Sequence, residues 1–145
     1  MSTYVVRRTA AAVALSPIKI LLVEEDLSDL GVYASSLEHY GYDLRTCACY
    51  SDGVRALGRE RFDFVIVGQG GPAFEGRLVL EYMRRLDRPA PILVVARCAD
   101  MKCYLEAMEL GALDYVERPH SPAQFARLVE PYLRPDPGST RRLAN

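Results

Sequence analysis

Two hydrophobic periodicities alternate along the chain from Ile18 onward. Ile18 to Val23 (IKILLV) is a compact apolar run closed by acids, the pattern of a strand covered on both faces. In Ser28 to Tyr40, the residues Leu30, Tyr33, Ala34 and Leu37 recur at helical spacing before Gly41, which predicts a helix stopped by a glycine. Asp43 to Cys49 is extended again, and Ser51 reads as the N-cap of a short helix through Leu57. The alternation then repeats three times. Phe62 to Val67 predicts a strand, followed by a helix over Arg77 to Leu86 with Leu78, Tyr82 and Leu86 on one side, Val79 and Leu80 falling outside that stripe. Pro91 to Val95 predicts the next strand, and Asp100 caps a helix in which Leu105, Met108 and Ala112 approach the sheet. Ala112 to Val116 is the fifth strand. The last helix starts at Ser121-Pro122-Ala123-Gln124, with Ser at the N-cap, Pro at the first helical position and Gln at the third.

Five strands, each followed by a helix and joined by short connections, call for a parallel sheet with right-handed crossovers and helices on both faces, a doubly wound α/β domain. Ligands of such sheets bind beyond the carboxyl ends of the strands. The residues there are Glu24, Glu25 and Asp26 after the first strand, Gly68 after the third, Ala96 after the fourth and Arg118 after the fifth. Three consecutive acids in such a place suit a hard cation such as Mg²⁺. They equally suit a solvated turn whose Asp26 and Asp29 meet the positive end of a helix, and the residues alone leave both readings open. Arg118 adds an anion-binding or charge-balancing group.

Composition narrows the classes. A chain of 145 residues fits one domain and buries roughly two-thirds of its unfolded surface, so no metal or disulfide staple is required. Eighteen basic and 19 acidic residues give a net charge of −1, too small a field to point to nucleic acid or anionic lipid as the main partner. No run approaches the roughly 18 apolar residues of a spanning helix. The opening MSTYVVRRTAAAVALSP imitates a secretory signal but has too short an apolar stretch. Residues 1–17 are therefore expected to be a flexible leader, 134–145 a flexible tail, and 18–133 the folded unit. Cys47 and Cys49 share one face of an extended stretch, and with Cys98 and Cys103 they lack paired CxxC spacing. Reduced thiols in a cytoplasmic protein follow.

The span Ile18 to Leu133 resembles the receiver domain of two-component response regulators. LLVEED resembles that family's first strand and acidic pair, DYVERP resembles its fifth-strand motif, and Pro72 and Gly76 stand four and eight residues beyond Gly68, the spacing the family keeps from its phosphorylated Asp. The resemblance implies a flavodoxin-like (βα)5 fold with strand order 2-1-3-4-5. It also implies a mechanism in which a histidine kinase donates a phosphoryl group to the central Asp while the acidic pair holds Mg²⁺. Here the acceptor position is Gly68, the Ser or Thr position is Ala96 and the Lys position is Arg118; the acids persist as Glu24 and Glu25. Without a carboxylate at position 68 no acyl phosphate can form there. Asp63 lies five residues upstream, about 16 Å away at strand rise. Arg118 is expected to close a salt bridge onto Glu24 or Glu25. The family's switch aromatic corresponds to Tyr115, expected to sit inward in the space Ala96 leaves.

The expectation is thus an atypical receiver, not an enzyme, that signals by protein interaction without phosphorylation and holds no cofactor. Its partners would be a histidine kinase, another response regulator or an output domain, with no direct contact to nucleic acid or membrane. A homodimer through the fourth helix, fifth strand and fifth helix would set Lys102, Glu106, Glu109, Asp114 and Arg127 in crossed ion pairs. One alternative keeps Mg²⁺ on Glu24 and Glu25 with Ser28 or Asp26 as acceptor. Another takes Gly68 to Ala73 as a dinucleotide G-x-G-x-x-A fingerprint. That fingerprint belongs on a first strand, and Pro72 lacks the N–H a phosphate would want.

Overall fold

The computed structural model describes residues 17–133; the expected leader, Pro17 excepted, and the expected tail lie outside them. Five strands alternate with five helices: β1 (Lys19–Val23), α1 (Leu27–His39), β2 (Asp43–Cys47), α2 (Tyr50–Arg59), β3 (Phe64–Gly68), α3 (Arg77–Met83), β4 (Ile92–Ala96), α4 (Met101–Glu109), β5 (Asp114–Glu117) and α5 (Pro122–Leu133). All neighbouring strands pair in parallel, in the order β2-β1-β3-β4-β5.

The central strands read as unbroken apolar runs because both faces are covered. Successive side chains point to opposite faces. Ile20, Leu22, Phe64, Ile66, Leu93 and Val95 therefore meet α1 and α5 through Tyr33, Leu37, Phe125 and Val129. Leu21, Val23, Val65, Val67 and Val94 meet the other three helices through Leu57, Leu80, Cys103 and Ala107. Tyr33 stacks on Phe125 with ring centroids 4.1 Å apart, which joins α1 to α5.

Three local predictions are corrected. Ser51 lies inside α2, which begins at Tyr50 with Cys49 as an N-cap that makes no side-chain cap bond; burial of Tyr50 anchors this turn in place of a hydroxyl cap. In α3 the buried residues are Val79, Leu80 and Met83, while Leu78 is 47% exposed and Leu86 lies beyond the helix. The phase of this short helix is set at its start, where the Gly76 N–H donates to the Gln69 carbonyl at 3.0 Å. In α4 the small residues Cys103 and Ala107 face the sheet, leaving Leu105 56% and Met108 37% exposed. Asp100 accepts hydrogen bonds from the Lys102 and Cys103 N–H groups and fixes that phase. Small residues one turn apart let the helix approach, and the large ones stay outside.

Candidate functional site

The register brings the predicted positions to one edge of the sheet. Val23 pairs with Val67, Gly68 with Val95, and Ala96 with Glu117. The ladder runs on past the strands, since Glu24 N–H donates to the Cys47 carbonyl at 3.1 Å and Arg118 N–H to the Ala96 carbonyl at 2.8 Å. Glu24, Gly68, Ala96 and Arg118 therefore converge, whereas Asp63 sits at the opposite end of β3 and accepts the Lys19 N–H at 2.8 Å.

Glu24 fills the space beside Gly68. Its side chain is 8% exposed, and Oε2 accepts the Asp26 N–H at 3.0 Å. A Cβ added to Gly68 would stand 2.8 Å from Glu24 Cδ and 3.1 Å from Oε2, with Oε1 nearer still. The carboxyl group thus occupies the volume that any side chain at position 68 would need. Burial pushes the Glu24 pKa up, opposed by the Asp26 N–H and reinforced by the charges of Asp29 and Asp26. Because the folded state holds the Glu24 proton more tightly than the unfolded chain, its contribution to stability is full below about pH 4.5 and is lost as pH rises through the raised value. Glu24→Gln keeps the size and the acceptor oxygen. The variant is expected to melt higher than the parent at pH 7, with the difference vanishing as pH falls toward 4, read from paired thermal melts.

Arg118 does not reach Glu24 or Glu25. Its Nη1 pairs with Asp29 Oδ1 at 2.5 Å, on the first turn of α1. Arg97 spans the same acids, with Nη2 3.3 Å from Asp26 Oδ2 and Nε 3.2 Å from Asp29 Oδ2, the latter close in charge but outside hydrogen-bond alignment. The Asp26 carboxylate caps α1 by accepting the Asp29 N–H at 2.9 Å, which holds its pKa below the usual range with help from Arg97 and Arg118. The cation takes Asp29 because the Glu24 carboxyl is turned toward Gly68 and committed to the Asp26 N–H, while Glu25 points outward and is exposed.

The loop after β3 is tied from several sides. Tyr50 donates from its hydroxyl to the Gly68 carbonyl at 3.0 Å. Gln69 is buried, donates from Nε2 to the Gly71 carbonyl at 3.1 Å, and accepts from the Tyr115 hydroxyl. That hydroxyl in turn accepts the Asp100 N–H at 3.0 Å. Tyr115 is 9% exposed, and Tyr104 packs edge-on against it with centroids 5.8 Å apart. The Gly71 N–H is taken by Glu75 Oε1 at 2.7 Å and the Gly76 N–H by Gln69. These are the backbone donors a phosphate-binding glycine loop would need free, so the glycines serve internal closure.

The residues present do not fit Mg²⁺. Glu24 has one oxygen on a backbone N–H and the other packed at Gly68; Asp26 and Asp29 hold guanidinium groups; Gly68 offers no carboxylate, which leaves the exposed Glu25 as the single acid of the predicted pair without a committed partner among the described residues. Among the described residues no group of three His, Cys, Asp or Glu side chains is placed to hold a metal. Of the charges expected on the pairing face, Glu106 is bound to Arg77 at 2.5 Å and Asp114 accepts the Tyr132 hydroxyl at 2.5 Å. Lys102, Glu109 and Arg127 are exposed and make no ion pair among the described residues. The four cysteines are unpaired thiols. Arg97, Gln69 and Tyr50 were not singled out from the sequence, and Asp29 was read there only as an acid at a helix start. Asp29, three residues after its cap Asp26, carried a visible signal as a helix-start acid; the others carried none, because their roles depend on which loops meet.

The family profile described as "Response regulator receiver domain" matches residues 20–130. The chain is similar to the "Transcriptional activator protein PfeR" of Pseudomonas aeruginosa, 28% identical over 116 residues, covering 80% of this chain and 38% of that protein. It is similar to the "Probable transcriptional regulator ycf27" of Guillardia theta, 28% identical over 116 residues, 80% of this chain and 45% of that protein. The chain thus spans less than half the length of these curated relatives. Among solved structures it is similar to a CheY-like receiver domain protein from Methanospirillum hungatei JF-1 (TM-score 0.72, 24% identity, 81% of this chain and 94% of that one). The chemotaxis response regulator CheY4 of Vibrio cholerae gives a TM-score of 0.72 at 20% identity, covering 82% of this chain and all (100%) of that one.

Proposed function

This chain belongs to the response regulator receiver domain family, a signalling module and not an enzyme, and we propose that it transmits information by protein contact without being phosphorylated. The observation that carries this reading is the Glu24 carboxyl packed where a side chain at Gly68 would begin. The acceptor position has no nucleophile, and the space for one is occupied from the neighbouring strand. Ala96 supplies no hydroxyl, and Arg118 is committed to Asp29. Tyr115, held by Gln69 and the Asp100 N–H, gives the module one arrangement of its β5–α4 surface.

Residues 18–133 form the receiver unit of this proposal. Its partners are a histidine kinase, as is usual for the family, another response regulator or an output domain; the longer relatives are transcriptional regulators by name. A homodimer through α4, β5 and α5 would rest on Lys102, Glu109 and Arg127, since Glu106 and Asp114 already have partners within the chain. No helix among the described residues is long and apolar enough to cross a membrane, and we place the module in the cytoplasm. Anything that binds only the folded state raises the melting temperature. Melting with and without Mg²⁺ plus beryllofluoride, a phosphoryl mimic, is expected to give superimposable curves. A ligand-dependent rise would mean that the site still recruits metal and phosphoryl oxygens.

A further inference from the structure

At the end of the sheet opposite Gly68 the charges behave differently. Arg45, Arg55, Arg77, Arg97 and Arg118 each pair with a carboxylate. Arg59, Arg61, Arg84, Arg85 and Arg88 are all exposed and make no ion pair among the described residues. Both turns that carry them, α2–β3 and α3–β4, precede strands of a parallel sheet and so lie together at its amino-terminal edge. Between the turns runs a groove of about 710 Å³, with Leu57, Phe62, Met83 and Leu86 along its floor and Arg59, Arg61 and Arg88 on its rim. The nearby acids cancel this charge only in part. Glu60 is bridged by both Lys19 at 2.9 Å and Arg45 at 2.6 Å, whereas Asp63 keeps its charge, since its partner is the neutral Lys19 backbone N–H. Asp63 and Asp87 therefore offset two of the three rim guanidinium groups, and the exposed Arg84 and Arg85 beside the lining add to the positive excess.

We propose that this groove docks an acidic polypeptide segment carrying apolar anchor side chains, a surface separate from the degenerate phosphorylation edge and independent of the reading given above. Unpaired guanidinium groups around an apolar floor complement carboxylates flanking an aliphatic or aromatic anchor. The charges steer and register the segment, and the anchors hold it. Nucleic acid fits less well. The apolar floor offers a phosphodiester nothing, and Phe62, the ring at the groove, is half-buried with Lys19 Nζ 5.3 Å from its centroid, so it is not free to stack on a base.

The test is selection of a random dodecapeptide library displayed on phage against the full chain, with the exposed-loop variant R61E/R88E as counter-selection. The enriched peptides are expected to combine Asp or Glu with Leu, Met or Phe. A synthetic peptide of their consensus should bind the parent chain in fluorescence anisotropy, weaken with added salt, and bind R61E/R88E at least ~10-fold more weakly. R61A/R88A, with thermal melts of both variants, separates lost binding from lost folding. Selection of peptides without acidic enrichment, equal binding to the folded variants, or equal displacement by single-stranded oligothymidylate would each overturn the proposal, the last in favour of nucleic acid.

Discussion

Gly76→Ala is expected to destabilise the fold by about 3 kcal/mol, although Gly76 has helical angles of φ −64° and ψ −14° that alanine adopts readily. The cost is steric. A Cβ at this position would press into the Gly68 carbonyl oxygen and stand 3.3 Å from the Gly68 carbonyl carbon. These are backbone atoms of a central strand, and they cannot turn away as a side chain would. The carbonyl also accepts the Tyr50 hydroxyl, and the adjacent Gln69 carbonyl accepts the Gly76 N–H, so displacement breaks further bonds. Urea unfolding measures the loss. Gly31→Ala serves as the opposite control: nothing stands within 4 Å of its Cβ, and alanine in an exposed helical position should stabilise by about 0.5–1 kcal/mol. Equal effects at both positions would mean that the close approach at Gly76 is not what holds the loop.

Gly68→Asp alone is expected to cost about 2–3 kcal/mol and to create no usable acceptor. The new Cβ would push aside the end of the Glu24 side chain, which can turn away, so the cost comes chiefly from two carboxylates then sharing one buried pocket. Glu24 is the residue to relieve, since shortening it by one methylene withdraws its carboxyl from the space over position 68. In the double variant Gly68→Asp/Glu24→Asp more than half of the lost stability should return, a coupling of about 1–2 kcal/mol expected only between residues in contact. A double-mutant cycle of unfolding free energies measures it, and strict additivity would remove Glu24 from the role assigned to it. Recovering the family's chemistry then requires Ala96→Thr and Arg118→Lys in addition, because the hydroxyl and the free ammonium are also missing.

The fold was legible because each central strand is a short apolar run and three of the five helix starts carry a local side-chain signal, those of α2 and α3 having none. Asp26 and Asp100 accept the backbone N–H groups their positions predict, and Gln124 Oε1 accepts the Ser121 N–H at 3.4 Å as the capping-box pattern implies. The helix faces were less legible. Leu105 and Met108 are the large apolar residues of α4, yet Cys103 and Ala107 are buried, because close approach to the sheet selects small side chains and periodicity counts only hydrophobicity. The positions of the site were legible from strand order. What fills it was not. That Glu24 turns over Gly68 while Arg118 turns to Asp29 depends on the Glu24 carboxyl accepting the Asp26 N–H and on which carboxylate the guanidinium then reaches, a matter of a few ångströms that no spacing rule encodes.

The central claim concerns whether this chain takes up a phosphoryl group at all. Incubation of the full chain with a small phosphodonor such as acetyl phosphate and Mg²⁺, read by intact mass under conditions that preserve acyl phosphates, asks this directly. The unmodified mass is predicted at every time point. A gain equal to one phosphoryl group, removed by hydroxylamine, would show that a carboxylate of this chain still serves as acceptor and would contradict the account.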